Sequence, residues 1–258
     1  MAPALAFHKV DDAFEWGVTR INPKRFRSLI LFLKEAGYQG MSVEQYFDID
    51  HPLPNKPVIL TFDDGYQKLY EHAIPVLREV DFSATLFVIT DYIGKMNTWD
   101  VNLGGFKFSH LNWSEIREIQ SMGFEIGSHT VSHPHLTWLK ETDIRFELEA
   151  SRKSLEDGLG SEVETVSFPF GRYNETVLEM AKLAGYEHAC AFFKKKKNLR
   201  KYKESFVLER KAHYIFDTYR SLNAKLNPES VSGKLETAKL KLINLGSYGT
   251  SLVKILKR

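Results

Sequence analysis

An apolar run that ends in two carboxylates and a glycine occupies one stretch of the chain, Pro57-Val58-Ile59-Leu60-Thr61-Phe62-Asp63-Asp64-Gly65. A second strand-like run, Phe124-Glu125-Ile126-Gly127-Ser128, leads directly into His129-Thr130-Val131-Ser132-His133. Side chains just beyond the carboxyl ends of strands converge on one active site in α/β barrels and sheets. The two stretches therefore predict an α/β fold in which both polar clusters lie at the same end of the strands.

These polar clusters have the composition of a catalytic metal site. The histidines are four residues apart, so on a helical turn they would share one face and bind one ion. Two imidazole nitrogens and one carboxylate oxygen leave a divalent metal an open position for water, and the second carboxylate is free to act as a base. Taken separately, Asp-Asp-Gly is typical of a solvated turn and His-x-x-x-His is a weak metal signal. Their shared context favours metal-assisted hydrolysis.

Strands and helices alternate along the chain. Strands are expected at residues 4–10, 57–62, 83–89, 124–128, 163–168, 186–192 and 206–215. Asn22-Pro23 should begin a helix whose apolar face is Phe26, Leu29, Ile30 and Leu33. The count predicts an irregular parallel (β/α) barrel of about seven strands, at residues 1–220. Residues 91–110 form a long loop on the presumed active face, and loops of this length are commonly functional or mobile.

Length and composition are those of a globular domain with a full barrel core. The chain has 258 residues, 43% of them apolar and 26% charged, and its one cysteine can form no internal disulfide. Its first residues lack a basic segment followed by an apolar one, which is the pattern of a secretory signal. No stretch approaches the length of a membrane span. We therefore expect a cytoplasmic protein, unless a leader has been trimmed.

Positive charge is concentrated in two places. Residues 194–203 carry seven Lys or Arg and no acids, and residues 220–258 carry eight against two acids. The segment 221–258 is expected to be a basic amphipathic appendage whose helical stripe is Leu235, Ala238, Leu242 and Leu245. It is expected to pack on its own domain; the alternative is peripheral binding to an anionic membrane at the cytoplasmic face. Nucleic acid is not expected, because no aromatic-interleaved basic motif accompanies the lysines.

The motifs together resemble the polysaccharide deacetylase family, the NodB-homology or family 4 carbohydrate esterases. Residues 61–65 are similar to its first motif, and residues 129–133 to its second, His-Ser/Thr-x-x-His. Ser167-Phe168-Pro169-Phe170-Gly171 resembles the third motif, and Phe7-His8-Lys9-Val10 resembles a Tyr/Phe-His-x-Val first strand. The resemblance covers roughly residues 4 to 215 and implies a NodB-like barrel.

The resemblance also implies the roles of the polar residues. Asp63 would be the catalytic base, while Asp64, His129 and His133 would bind the metal. Zinc fits this ligand set best on ligand softness, and cobalt, nickel or iron are alternatives.

Other expected site residues rest on weaker parts of the pattern. The turn Pro169-Phe170-Gly171 would shape the pocket, with a backbone N–H near Phe170 facing the oxyanion. No arginine precedes Pro169, where the family often has one that orients the base, so Arg210 is the expected substitute. The family motifs that supply a general-acid histidine are not visible, and His213 is the candidate in their place. Trp99 and Tyr173 could stack on a sugar ring or simply pack in the core.

The function expected from these features is removal of N-acetyl groups from an amino sugar in a glycan or glycolipid precursor. The same site could instead remove a formyl group or cleave another linear amide on a lipid-linked sugar, because fold and metal do not determine the acyl group. Outside the enzymes, the chain could be an inactive glycan-binding relative. A metal-stabilised structural protein is disfavoured, because structural zinc sites are closed and rich in cysteine.

Overall fold

The computed structural model describes residues 2–50, 52–100, 105–192 and 206–256, with side chains as far as residue 244. Its strands are β1 (Ala4–Phe7), β2 (Lys9–Val10), β3 (Arg20–Ile21), β4 (Gln39–Met41), β5 (Pro57–Phe62), β6 (Thr85–Val88), β7 (Glu125–Ser128), β8 (Thr165–Ser167), β9 (His188–Ala191), β10 (Val207–Glu209) and β11 (Lys211–Ala212). Its helices are α1 (Pro23–Glu35), α2 (Val43–Phe47), α3 (Lys68–His72), α4 (Ile74–Glu79), α5 (Trp113–Ser121), α6 (Glu141–Leu159), α7 (Glu175–Leu183), α8 (Tyr219–Leu226) and α9 (Val231–Leu256). The basic residues 194–203 lie outside the described ranges.

A parallel sheet runs in the order β10-β9-β8-β7-β6-β5-β1-β11, with β4 also paired to β5. Only Arg210 separates β10 from β11, so one chain segment pairs with β9 through its first half and with β1 through its second half. This segment brings the two ends of the sheet together and nearly closes a barrel of seven strand positions. The predicted α/β barrel of about seven parallel strands is confirmed.

Side chains alternate between the interior of the barrel and the surrounding helices, as the pleat of a strand requires. Ala4 and Ile59 belong to an interior cluster with residues of β6, β9 and β10. Their neighbours Leu5 and Leu60 instead pack outward, in the larger cluster that contains the buried face of α1. The predicted apolar face of α1 is confirmed, and the Asn22 side chain accepts a hydrogen bond from the backbone N–H of Lys24.

The C-terminal helices pack on the barrel near the segment that closes it. Lys225 of α8 is buried and donates a hydrogen bond of 2.8 Å to the backbone carbonyl of Ala212. The side chain of Leu240 in α9 is buried in a small cluster with Ala6, Phe192, Ala212 and Tyr214. Within the described ranges, no helix combines the length and the apolar content that crossing a bilayer requires.

The predicted apolar stripe of α9 does not make these contacts. Leu235 and Leu242 are 68% and 70% exposed, and the side chain of Leu245 lies outside the described part. The buried face is instead Glu236, Leu240 and Asn244, which recur every fourth residue. This face turns inward because Glu236 lies among the buried charges of Lys225 and Asp217. α9 is one continuous helix over Val231–Leu256.

Candidate active site

The polar clusters meet at the carboxyl ends of the barrel strands. Asp63 and Asp64 follow β5, and His129 follows β7. Asp64 Oδ1 lies 3.4 Å from His129 Nε2 and 3.6 Å from His133 Nε2. The three side chains are buried, and their ligand atoms lie within 4.8 Å of one another. The structure thus brings together the three residues that the sequence predicts as metal ligands.

Local contacts prepare this group to bind a cation. The Nδ1–H of His129 donates a 2.7 Å hydrogen bond to the carbonyl of Ser167, which leaves Nε2 available to bind a metal. Asp64 Oδ1 is buried and has no hydrogen-bond donor within the described part of the chain. Burial alone would raise the pKa of Asp64, but the imidazoles of His129, His8 and His133 hold it well below its ordinary range. The donors and the missing hydrogen bond fit a divalent metal.

The backbone of the site is strained. Four residues other than glycine adopt left-handed conformations here: Asp64 (φ 71°), Thr130 (φ 69°), His133 (φ 58°) and Phe170 (φ 59°). Such conformations cost about 1–3 kcal/mol each and persist where the surroundings enforce them. The histidines therefore do not share the helical turn that their spacing suggested; a bend with two left-handed residues brings them together.

Glu147 of α6 holds this bend. Its Oε2 accepts hydrogen bonds from the backbone N–H groups of Val131 (2.8 Å) and Ser132 (2.9 Å), and its Oε1 accepts one from the Ser132 hydroxyl (2.5 Å). The hydroxyl of Thr130 accepts a further bond from the N–H of His133. Sequence reasoning missed Glu147. The sequence feature that could have revealed Glu147 is a carboxylate on the buried side of α6, one residue before Leu148.

Arg210 lies against Asp63. Its guanidinium donates to Asp63 Oδ1 (2.7 Å) and Oδ2 (2.9 Å), and also to the hydroxyls of Thr61 (2.8 Å) and Ser167 (2.7 Å). Burial would raise the pKa of Asp63, but Arg210 and His129 outweigh it and lower that pKa. Asp63 is therefore held as a carboxylate in one fixed orientation. Its contacts differ from those of the adjacent Asp64.

His213 does not reach the carboxylates. Its ring packs on Phe7, with centroids 5.3 Å apart, and its Nδ1 lies 3.6 Å from Asp217 Oδ2. Strand alternation explains the difference, because a side chain three residues beyond the inward-facing Arg210 faces outward. The assignment of His213 to the site from the sequence is therefore not supported by its position.

His8 is the imidazole that the structure adds to the site. The register of β1 and β5 pairs Phe7 with Phe62, so His8 comes level with Asp63. Burial lowers the pKa of His8, and the charges acting on its ring are those of Asp64, Asp63 and Arg210. The signal in the sequence was the Phe-His-x-Val element of the first strand.

Phe170 of the third motif and the candidate Trp99 lie beside His133, whereas the candidate Tyr173 lies in the core. The ring of Phe170 lies 4.9 Å from that of His133, and the ring of Trp99 lies 4.2 Å from it on another side. At Gly171, a Cβ would come within 2.4 Å of the Phe192 ring, so only glycine fits. Tyr173 is 3% exposed and belongs to the hydrophobic core, so it packs there instead of lining the pocket.

Comparison with known proteins identifies the family. The family profile described as Polysaccharide deacetylase matches residues 50–189, more than half of the chain. The chain is 29% identical to YxkH of Bacillus subtilis over 188 residues, which are 72% of this chain and 62% of that protein. It is 30% identical to the poly-beta-1,6-N-acetyl-D-glucosamine N-deacetylase of Escherichia coli K12 over 135 residues, 49% of this chain and 20% of that protein. These matches span less than two thirds of either relative.

Solved structures agree with this match. A polysaccharide deacetylase from Bacillus cereus is 26% identical with a TM-score of 0.70, covering 87% of this chain and 68% of that one. The Streptococcus pyogenes deacetylase PplD, solved with acetate, has the same fold: its TM-score is 0.72 at 24% identity, over 87% of this chain and 97% of that one. The residues that the profile matches include β5 and β7, which precede Asp63, Asp64 and His129. The chain belongs to the polysaccharide deacetylase family.

Proposed function

We propose that this chain is a metal-dependent hydrolase that removes the N-acetyl group from an amino sugar in a glycan or glycolipid precursor. The observation that carries the proposal is the different environment of two adjacent carboxylates. Asp64 lies with His129 and His133, whereas Asp63 is held by Arg210. The name of the Escherichia coli relative supports an acetylated glucosamine as the substrate.

Asp64, His129 and His133 would hold the cation, because two imidazoles and a carboxylate are the ligand types of catalytic divalent metals. A divalent metal held by these residues would supply Lewis acidity toward the amide carbonyl and the attacking water. Zinc suits these ligands best, and cobalt, nickel or iron remain alternatives within the proposal.

The chain's own groups then perform the proton transfers. Asp63 accepts the proton of the attacking water, because Arg210 maintains its charge and fixes the plane of its carboxylate. The departing amine must gain a proton. We assign its donation to His8, which lies level with Asp63 across the strand pair and is proposed to receive the proton that Asp63 takes from the water. The backbone N–H near Phe170 is proposed to stabilise the oxyanion.

The same groups could act on another acyl group. Removal of a formyl group, or cleavage of a different linear amide on a lipid-linked sugar, needs the same base and the same metal ligands. An inactive glycan-binding relative would have no use for the Arg210–Asp63 contact, which positions a base. We therefore favour the enzyme.

Metal analysis combined with a panel of N-acetylated and N-formylated amino sugars tests the function. The wild-type chain should bind one divalent metal and release acetate in preference to formate. His129→Ala should lose the metal, whereas Asp63→Asn should keep it and lose turnover by several orders of magnitude. His72→Ala, in α3, is the matched control and should change neither the metal content nor the turnover. Full metal occupancy in His129→Ala, or wild-type turnover in Asp63→Asn, would contradict the proposal.

We also propose that α9 attaches the enzyme to an anionic membrane surface, with a cytoplasmic location. The support is the exposure of Leu235 and Leu242 beside the exposed Lys234 and Lys241. Basic residues contribute about 1 kcal/mol each near an anionic leaflet, and the cytoplasmic leaflet is the anionic one. Exposed leucines on the same helix would add apolar contact with the lipid.

A further inference from the structure

A group of exposed aromatic rings comes from two segments, the loop between β2 and β3 and the segment that precedes α5. The side chains of Phe14 and Trp16 are 54% and 65% exposed, and that of Phe106 is 41% exposed. The ring of Phe14 lies 5.4 Å from that of Trp16 and 5.7 Å from that of Phe106, both edge to face. Single exposed apolar residues are ordinary, but a contiguous group of rings marks a binding surface.

Phe14 and Phe106 line a cavity of about 430 Å³, which is within the size range of ligand pockets, and Trp16 packs on Phe14 outside the lining. The rings of Tyr66 and Phe108 contribute to its lining, and the Lys9 ammonium lies 4.7 and 4.5 Å from their centroids. Polar side chains complete the lining: Asp11, Asp12, Gln67, Lys68, Lys107 and Ser109. The cavity therefore combines flat apolar faces with hydrogen-bonding groups.

A series of side-chain contacts links this cavity to the candidate active site. Tyr66 follows Asp64 by two residues, and its ring stacks on that of His110 at 4.9 Å. The indole N–H of Trp99 donates to His110 Nε2 over 3.2 Å, and the Trp99 ring lies 4.2 Å from that of His133. A row of rings thus connects a metal ligand with the aromatic cavity.

The lining fits a sugar better than a phosphate or an acidic partner. Of the three lysines in the lining, Lys9 is paired with Glu15 and Lys68 with Glu71, and the third, Lys107, shares the lining with the carboxylates of Asp11 and Asp12. A pyranose presents apolar C–H faces that stack on aromatic rings, while its hydroxyls require neutral and acidic hydrogen-bonding groups at the edges. Both requirements are met in this cavity.

We propose that Phe14, Trp16 and Phe106 form a subsite for a second sugar residue of the glycan whose N-acetyl group is hydrolysed at Asp63 and Asp64. The inference rests on the proposed function and narrows its substrate. The substrate is a chain of several sugar residues that extends from the metal ligands to the aromatic cavity. A single amino sugar on a lipid carrier would leave this subsite empty.

The test compares substrates of different length. The kcat/KM for acetate release is measured on a disaccharide and on a hexasaccharide of N-acetylglucosamine, in both the β-1,4 and the β-1,6 series. In a Phe14→Ala, Trp16→Ala double variant, the ratio of hexasaccharide to disaccharide kcat/KM should fall roughly tenfold, because two ring contacts are lost. Phe146→Ala, which removes a 61% exposed ring from α6, is the control and should leave the ratio unchanged.

Binding of the hexasaccharide, measured by calorimetric titration, separates this inference from the function on which it rests. The double variant should bind the hexasaccharide roughly tenfold more weakly than the wild-type chain. Binding by the wild-type chain without any acetate release would contradict the proposed function but would still support the subsite. Equal affinity in the wild-type chain and the double variant, or no binding by either, would overturn the subsite.

Discussion

The guanidinium of Arg210 donates hydrogen bonds to both carboxylate oxygens of Asp63, over 2.7 and 2.9 Å, although 147 residues separate them in the chain. The pair is buried, and the hydroxyls of Thr61 and Ser167 complete the contacts of the guanidinium. Such a pair is costly to break, because removal of one partner leaves an uncompensated buried charge.

Arg210→Lys should therefore lower kcat by about 100-fold or more while the metal content is maintained, because an ammonium cannot bind both oxygens and fix the carboxylate plane. Steady-state acetate release and metal analysis measure the two effects. Arg27→Lys is a matched control, since Arg27 makes the same two-bond contact with Glu79 at the surface. There the change should cost at most about 1 kcal/mol of stability and no activity. Wild-type kcat in Arg210→Lys would refute the positioning role.

His8→Gln should reduce amide hydrolysis by about 10²- to 10⁴-fold without loss of metal, because the amine leaves without its proton. An acetate ester with an acidic phenol as leaving group needs no such proton. Its hydrolysis should therefore fall much less than amide hydrolysis, when both rates are measured on the same variant. Equal losses on the amide and the ester would assign His8 a role other than proton donation.

Glu147→Ala should weaken metal binding by about 10- to 100-fold, although Glu147 is not among the candidate ligands. The variant leaves the N–H groups of Val131 and Ser132 without their acceptor, so the bend between the histidines loses its support. Competition with a chromophoric chelator measures the metal affinity. Glu147→Gln retains one acceptor oxygen and should recover part of the affinity, and the exposed Glu149→Ala should behave as wild type. Unchanged affinity in Glu147→Ala would exclude this role.

Stability should decline between pH 6.5 and about 4, in part because of His213. Burial lowers the pKa of His213 from 6.5 to about 4; Asp217 opposes the shift, and Lys225 and Arg25 add to it. Within this window the unfolded chain binds a proton at His213 and the folded chain does not. The contribution of His213 to stability is therefore fully present above pH 6.5 and is lost as the pH falls. His213→Gln should reduce the change of the unfolding free energy with pH by at most about 1.4 kcal/mol per pH unit, as measured by denaturant unfolding. An unchanged slope would show that His213 does not contribute.

Attachment to a membrane surface predicts that the chain sediments with anionic vesicles and that salt releases it. Leu235→Asn with Leu242→Asn should weaken this binding, because both leucines are exposed and do not support the fold. Leu183→Asn, at a position in α7 that is 62% exposed, is the control. Absence of binding to vesicles that contain anionic lipid would end this proposal.

Several features could be predicted because they depend on local pattern. An apolar run followed by two carboxylates identifies a buried strand with a polar end. The seven barrel positions follow from the alternation of strands and helices. The spacing of His129 and His133 correctly predicted that they meet, but for the wrong reason. An enforced left-handed bend joins them, and the carboxylate that supports it comes from α6.

The sequence by itself determined the fold class and indicated the candidate ligand types, two imidazoles and a carboxylate, because strand periodicity and side-chain chemistry are properties of short segments. The tertiary structure decided which distant residues face one another. His8 reaches the carboxylates and His213 does not, because barrel closure and strand alternation turn one inward and the other outward. Leu240 packs on the barrel while Leu235 and Leu242 remain exposed, because buried charges on α8 and α9 set the rotation of the helix. These outcomes depend on contacts between remote segments, which no local pattern encodes.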